Sequence, residues 1–236
     1  MNTGSSWGKV ILLGEHAVVY GYPSLAVGIA RGTRAVVRPM PLGPSVLAIP
    51  RWSVHVSAAE PTDLSAAFAA LLRCLSADER PPGPVLAELE SDLPPGVGLG
   101  CSASLGVAVA RALVPDAAPE RVMTLAAAWE RIFHGNPSGV DFACSANGGC
   151  LRFRRGVSET ISIGRPLTFA SRTAALSRQR RKWSNKSRAF APVASNPATS
   201  GPRLRRGLRS RRGAERATLE APGAVHAKPS SSRSSR

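Results

Sequence analysis

Apolar and polar positions divide the first 170 residues into strands and helices. Residues 10–13 and 26–38 are mostly apolar and predict strands, and a proline-rich connection over 39–50 leads to Ser53-Val54-His55-Val56, which alternates as a half-buried strand does. After Asp63, placed here as an N-cap, Phe68, Leu71, Leu72 and Leu75 recur at helical spacing. Val85, Ala87 and Leu89 alternate with Glu88 and Glu90, a strand with one wet face. Residues 102–113 are almost wholly small or apolar and predict a buried helix. A second helix over 119–133 starts on Pro119 and places Val122, Leu125, Ala126, Trp129, Ile132 and Phe133 on one face, with Glu130 off that stripe. Residues 149–154 read as a further strand. This order of elements predicts one α+β domain.

Between the strand ending near Glu90 and the helix at Ser102 stands Leu93-Pro94-Pro95-Gly96-Val97-Gly98-Leu99-Gly100-Cys101-Ser102-Ala103-Ser104. Glycines at 96, 98 and 100 can adopt conformations closed to other residues and leave their amides uncovered. The helix that follows adds free N–H groups and a positive dipole end. Such a loop suits a phosphate. It is neither GxxxxGK[ST] nor GxGxxG, so by itself it reads equally well as a tight turn onto a buried helix.

Charge changes the picture only at the end of the chain. Residues 171–236 hold 17 of the 31 Lys and Arg but 2 of the 15 Asp and Glu, so nearly all of the +16 net charge lies there. The first 170 residues are close to neutral and long enough to bury one sizeable core. The four cysteines, at 74, 101, 144 and 150, show no CxxC spacing, and no secretory signal or 18-residue apolar stretch occurs. Free thiols in a reducing cytoplasm are expected, with no membrane span and no zinc site.

Two further segments accompany the glycine loop: Gly8-Lys9-Val10-Ile11-Leu12-Leu13-Gly14-Glu15-His16-Ala17-Val18-Val19-Tyr20-Gly21 and Glu130-Arg131-Ile132-Phe133-His134-Gly135-Asn136-Pro137-Ser138-Gly139-Val140-Asp141. With all three in this order, the chain over residues 8–170 resembles the mevalonate kinases of the GHMP small-molecule kinase superfamily. The resemblance implies a GHMP kinase N-terminal domain of the ribosomal-protein-S5-domain-2-like fold, and ATP-dependent phosphorylation of mevalonate to 5-phosphomevalonate with Mg²⁺. It implies that the ATP phosphates lie on Pro95, Gly96, Gly98, Leu99, Gly100, Cys101, Ser102, Ala103 and Ser104. Ser102 and Glu130 match the family's metal ligands. Asp141 matches the carboxylate that receives or orients the attacking hydroxyl, and Lys9 the lysine beside it that stabilises charge on the transferred group. Lys9, Glu15, His16, Ser138 and Asp141 match positions at the mevalonate. By residue type alone, Asp141 is an early-helix charge, Glu130 and His134 are a surface pair, and Lys9 is a solvated edge charge.

Two departures from the family pattern fall inside the motifs: Trp7 stands where a proline usually precedes Gly8, and Cys101 where the first serine of the loop pair stands. A third is larger. The family continues with a C-terminal domain carrying another glycine-rich motif, whereas residues 171–236 are arginine-rich and poor in large apolar residues, so a disordered basic tail is expected in place of that domain. An alternate reading frame of a GC-rich gene is the favoured origin. A basic arm for nucleic acid or anionic membrane and a non-catalytic ATP-binding fragment remain alternatives, as does another GHMP kinase with a related alcohol. A nucleic-acid partner is expected only through the tail, and a homodimer stays open.

Overall fold

The computed structural model describes residues 1–164 together with two short strands, Thr168–Ser171 and Glu215–Thr218. One long strand organises the sheet. Strand β2 (Ser24–Pro39) pairs antiparallel with β1 (Asn2–Leu13) along its length, from Val37 opposite Asn2 to Leu25 opposite Leu13. Its other edge is shared, residues 33–39 pairing with β5 (Val85–Ser91) and residues 24–27 with β6 (Cys150–Arg154). Strands β3 (Val46–Ile49), parallel to β5, and β4 (Val54–Ser57) extend one end, and β7 (Val157–Ile161) extends the other, giving the order β4-β3-β5-β2-β6-β7 with β1 on β2.

Burial alternates along these strands with period two. Ala35, Val37, Val85, Ala87 and Leu89 are buried, while Arg34, Arg38, Glu88 and Glu90 face water. The dry residues share a core with α1 (Asp63–Arg73), α2 (Cys101–Leu113) and α3 (Pro119–His134). A fourth helix, α4 (Val140–Asn147), packs Val140, Ala143 and Cys144 with Ala26, Leu151 and Phe153 in a second cluster. Helix α2 is buried on nearly every side, and its small residues make that affordable: a Cβ at Gly106 would lie 2.7 Å from the Trp129 ring.

The α+β reading and most of the predicted elements hold, with four corrections. The cap of α1 is Thr62, whose hydroxyl accepts from the Ser65 amide at 3.1 Å, so Asp63 is the first helical residue and not the N-cap. The connection over 39–50 contains β3, whose four residues are too short a run to show alternation. Strand β1 begins at Asn2, because backbone pairing with β2 carries it through a polar stretch without an apolar pattern. Helix α4 follows Gly139, where the apolar pattern marked no helix and only the reading of Asp141 as an early-helix charge pointed to one. Strands β8 (Thr168–Ser171) and β9 (Glu215–Thr218) pair antiparallel. Apart from them, the expected disordered tail over 171–236 lies outside the described residues. No helix among the described residues is long and apolar enough to cross a membrane.

Candidate active site

Four elements converge on one place: β1, the glycine loop with the start of α2, the end of α3 and the start of α4. The glycine loop leaves β5 and enters α2 with Gly96, Gly98 and Gly100 at φ of 75°, 83° and 72°. All three lie in the left-handed region that side chains disfavour, so glycine at alternate positions is what lets the chain curl here. Gly100 has a second reason, since a Cβ there would lie 2.6 Å from Cγ of Lys9. Gly96 and Gly98 are exposed, and no atom lies within 4 Å of the Cβ position at Gly98, which leaves that side of the loop free for a ligand. The amides of Cys101, Ser102 and Ala103 have no acceptor one turn earlier in α2 and stand at its positive end.

The backbone amide of Lys9 donates to the Leu99 carbonyl at 2.9 Å, fastening β1 to the loop. From there the Lys9 side chain reaches the start of α4, where its Nζ lies 2.8 Å from Oδ1 of Asp141. Lys9 is buried, and the Asp141 side chain retains 32% of its exposure. Lys9 is therefore no solvated edge charge. It leaves one face of the carboxylate open to a reactant.

Glu130, on α3, is 1% exposed, so the surface-pair reading holds only for its partner: His134 Nε2 lies 3.5 Å from Oε2 of Glu130 and stays half exposed. Burial pushes the Glu130 carboxyl up to about 7. A hydrogen bond with the Ser102 side chain and the charge of Lys9 oppose that rise, and the charge of Asp141 adds to it. Its Oε1 has no hydrogen-bond partner. An orphaned, buried carboxylate oxygen beside a serine hydroxyl and a phosphate-type loop suits a hard divalent cation, and such an ion takes only one or two protein oxygens when phosphates supply others.

The loop residues divide into those that face outward and those that anchor. Pro95, Leu99 and Ser102 are half-buried at the rim. Cys101 points inward, its Sγ 3.6 Å from the Leu93 carbonyl, and burial pushes its thiol up to about 12, so it stays neutral. The Ala103 side chain is fully buried. Ser104 lies beneath the cradle rather than in it: its amide donates to the Gly100 carbonyl at 2.9 Å, and its hydroxyl lies 2.8 Å from those of Ser6 and Thr33. Thr33 in turn donates to Ser91 Oγ at 3.0 Å, and Ser91 accepts from the Leu93 amide at 3.3 Å. This buried hydroxyl chain pins the loop to β1, β2 and β5. Periodicity carried its signal unread, because Ser91 continues the inward positions 85, 87 and 89, and Thr33 those of Ala35 and Val37.

Glu15 and His16 are exposed in the connection from β1 to a single 3-10 turn (Ala17–Tyr20), and Ser138 is half-buried just before α4. Cys144, one turn after Asp141, is buried, and burial pushes its thiol up to about 12.

Residues 64–149 match the GHMP kinases N terminal domain. Mevalonate kinase of Aeropyrum pernix is 37% identical over 164 residues, which cover 64% of this chain and 50% of that protein. Human mevalonate kinase is 31% identical over 211 residues, covering 64% and 53%. The chain thus spans about half the length of the curated relatives it matches. Among solved structures, Methanococcus jannaschii mevalonate kinase superposes with a TM-score of 0.58 at 20% identity, covering 68% of this chain and 55% of its own. Over residues 64–149 this chain is a GHMP kinase N-terminal domain, and the curated proteins it matches are mevalonate kinases.

Proposed function

We propose that this domain serves an ATP-dependent kinase that transfers the γ-phosphoryl group to the primary hydroxyl of mevalonate, giving 5-phosphomevalonate. The observation that carries the reading is the Lys9–Asp141 pair at 2.8 Å, fastened to the glycine loop through the Lys9 amide. One strand thereby sets the distance between the phosphate cradle and the carboxylate that orients the alcohol. A structure of L. major mevalonate kinase in complex with R-mevalonate, which superposes with a TM-score of 0.56, supports the substrate class.

In this reading the exposed edge of the glycine loop and the first amides of α2 receive the phosphates. Ser102 and Glu130 would hold Mg²⁺, which would supply the positive charge that neutralises the phosphates. Asp141 Oδ2, the oxygen not paired with Lys9, accepts the hydrogen bond of the attacking hydroxyl and then its proton. Lys9 fixes the other oxygen and places a positive charge where negative charge develops on the transferred group. Glu15, His16 and Ser138 are assigned to the alcohol side of the site.

The test is a coupled ADP-release assay on the purified chain with mevalonate. Mevalonate-dependent release is expected, and Asp141→Asn should lower kcat by at least about 100-fold while ATP still binds, because a positioned base contributes on that scale and the cradle is untouched. Equal turnover in Asp141→Asn would remove that residue from the mechanism. Galactose-dependent release in place of mevalonate-dependent release would reassign the substrate.

A further inference from the structure

Trp7 sits where the β1–β2 register is interrupted, between Trp7 and Gly8, two residues ahead of Lys9. Its indole is held by residues of two other elements. The Arg111 guanidinium of α2 stands over the ring, 5.4 Å from the centroid, and a Cβ at Gly148, just past α4, would lie 3.1 Å from the ring. Arg111 also makes two backbone contacts. Its Nη1 donates to the Ser5 carbonyl of β1 at 2.6 Å and its Nη2 to the Ala146 carbonyl of α4 at 2.5 Å.

The two acceptors lie on the two elements that carry the Lys9–Asp141 pair. Ser5 precedes Lys9 on β1, and Ala146 lies in the last turn of α4, whose first turn holds Asp141. A last-turn carbonyl has no intrahelical donor, and a guanidinium there also suits the negative dipole end. A rigid planar fork presents separate nitrogens to carbonyls on two elements at once, whereas a lysine would bring one compact ammonium without that spread. Among the described residues, no carboxylate stands against this cation. Two carbonyl dipoles and the face of an indole take that role, which is a demanding way to hold a charge and a specific one.

We propose that Trp7 and Arg111 form a positioning clamp that ties β1 to α4 and so holds Lys9 against Asp141. The clamp accounts for the residue that departs from the family pattern: the indole provides the platform on which the fork lies, in a place where proline would provide none. Its consequence for catalysis rests on the phosphoryl-transfer reading above, and its geometry does not.

The experiment measures how fast Lys9 is acetylated in the full chain, by brief labelling and mass spectrometry normalised to an added reference peptide, alongside ADP release. Arg111→Met and Trp7→Leu should each raise the Lys9 labelling rate about five-fold, the factor that a loosening of about 1 kcal/mol gives. They should also lower kcat by about ten-fold or more with KM for ATP unchanged, since misplaced reacting groups cost rate rather than cradle affinity. Arg111→Lys should recover part of both. Arg121→Met makes the same chemical change at an arginine bound to Glu79 and the Cys74 carbonyl, and it should leave Lys9 labelling at the wild-type rate. Unchanged labelling in folded Arg111→Met or Trp7→Leu overturns the clamp. Should Arg111→Met not fold, Trp7→Leu decides by the same criterion, since it alters a half-exposed side chain and removes no hydrogen-bond partner. Faster labelling in a chain that neither binds ATP nor releases ADP keeps the clamp and retires the kinase reading. Unchanged labelling in a working kinase does the reverse.

Discussion

At the scale of single residues, Glu130 carries the most readable energetics. In the folded chain its carboxyl titrates near 7, raised from the ordinary 4.5 chiefly by burial. Between these values the folded state holds a proton that the unfolded state has released, so stability must fall as pH rises across that window. Below 4.5 the group is neutral in both states and above 7 it is charged in both, and there its contribution is flat. The full loss is on the order of 3 kcal/mol. Thermal melts of the metal-free chain should therefore show a falling Tm from pH 4.5 to 7, and Glu130→Gln should flatten that part of the curve. A divalent cation reverses the local preference by favouring the ionised carboxylate. Mg²⁺ with ATP should thus raise Tm more at pH 8 than at pH 5, and an equal rise at both would detach Glu130 from the metal.

At the scale of elements, α2 is the part on which the site depends, because its first turn presents amides and its body is packed on nearly all sides. Gly106 is the tightest point of its contact with α3, where a Cβ would lie 2.7 Å from Cδ1 and Cγ of Trp129. Gly106→Ala should cost about 1–3 kcal/mol as overpacking, read as a lowered urea midpoint with an unchanged slope. The same substitution pushes on Trp129, the neighbour in sequence of Glu130, so the Mg²⁺ dependence of activity should weaken with it. The α1–α3 contact answers acid instead of Mg²⁺. Arg121 bonds Glu79 and holds its carboxyl down to about 2, the hydrogen bond from Arg121 being the main cause. That contribution is present above pH 4.5 and fades as pH falls towards 2. Arg121→Met should lower stability at pH 7 by about 1 kcal/mol or less, as a pair near the surface does, and should lower it by less at pH 2, where the Arg121 bond to the Cys74 carbonyl is the main contact left to lose.

At the scale of the whole molecule, the described residues build a site with one open side. Gly96 and Gly98 are exposed, Asp141 is about one-third exposed, and Glu15 and His16 stand in water. Phosphoryl transfer draws its rate from holding both reactants in line in a site that water does not share. The 236-residue chain alone should therefore turn over far below the range of about 1–100 per second usual for kinases. A coupled ADP-release assay at saturating ATP and mevalonate measures this directly. Turnover inside that range would show that residues beyond 164, or a second copy of the chain, complete the site.

The elements and the glycine loop were legible because their causes are local. Period-two alternation marks β4 and β5, helical spacing marks α1 and α3, and glycines at alternate positions before an apolar helix mark a tightly curled loop, which by itself reads equally well as a turn or a phosphate cradle. Other features were not legible, because neighbours distant in the chain decide them. By residue type Asp63 is at least as good a cap as Thr62, and only the position of the Ser65 amide selects Thr62. Ser104 belongs to the loop motif in the chain but to a buried hydroxyl chain in space, since its partners Ser6 and Thr33 arrive from β1 and β2. Glu130 looks like a surface residue from its place on the helix. It becomes a buried, half-satisfied carboxylate only when Ser102, Lys9 and Asp141 are brought around it from α2, β1 and α4. By itself the sequence determined which residues are available for chemistry and which segments are regular. Tertiary structure alone decided which of them lose water, because solvation and charge–charge distance belong to the packed assembly and have no counterpart in the order of the chain.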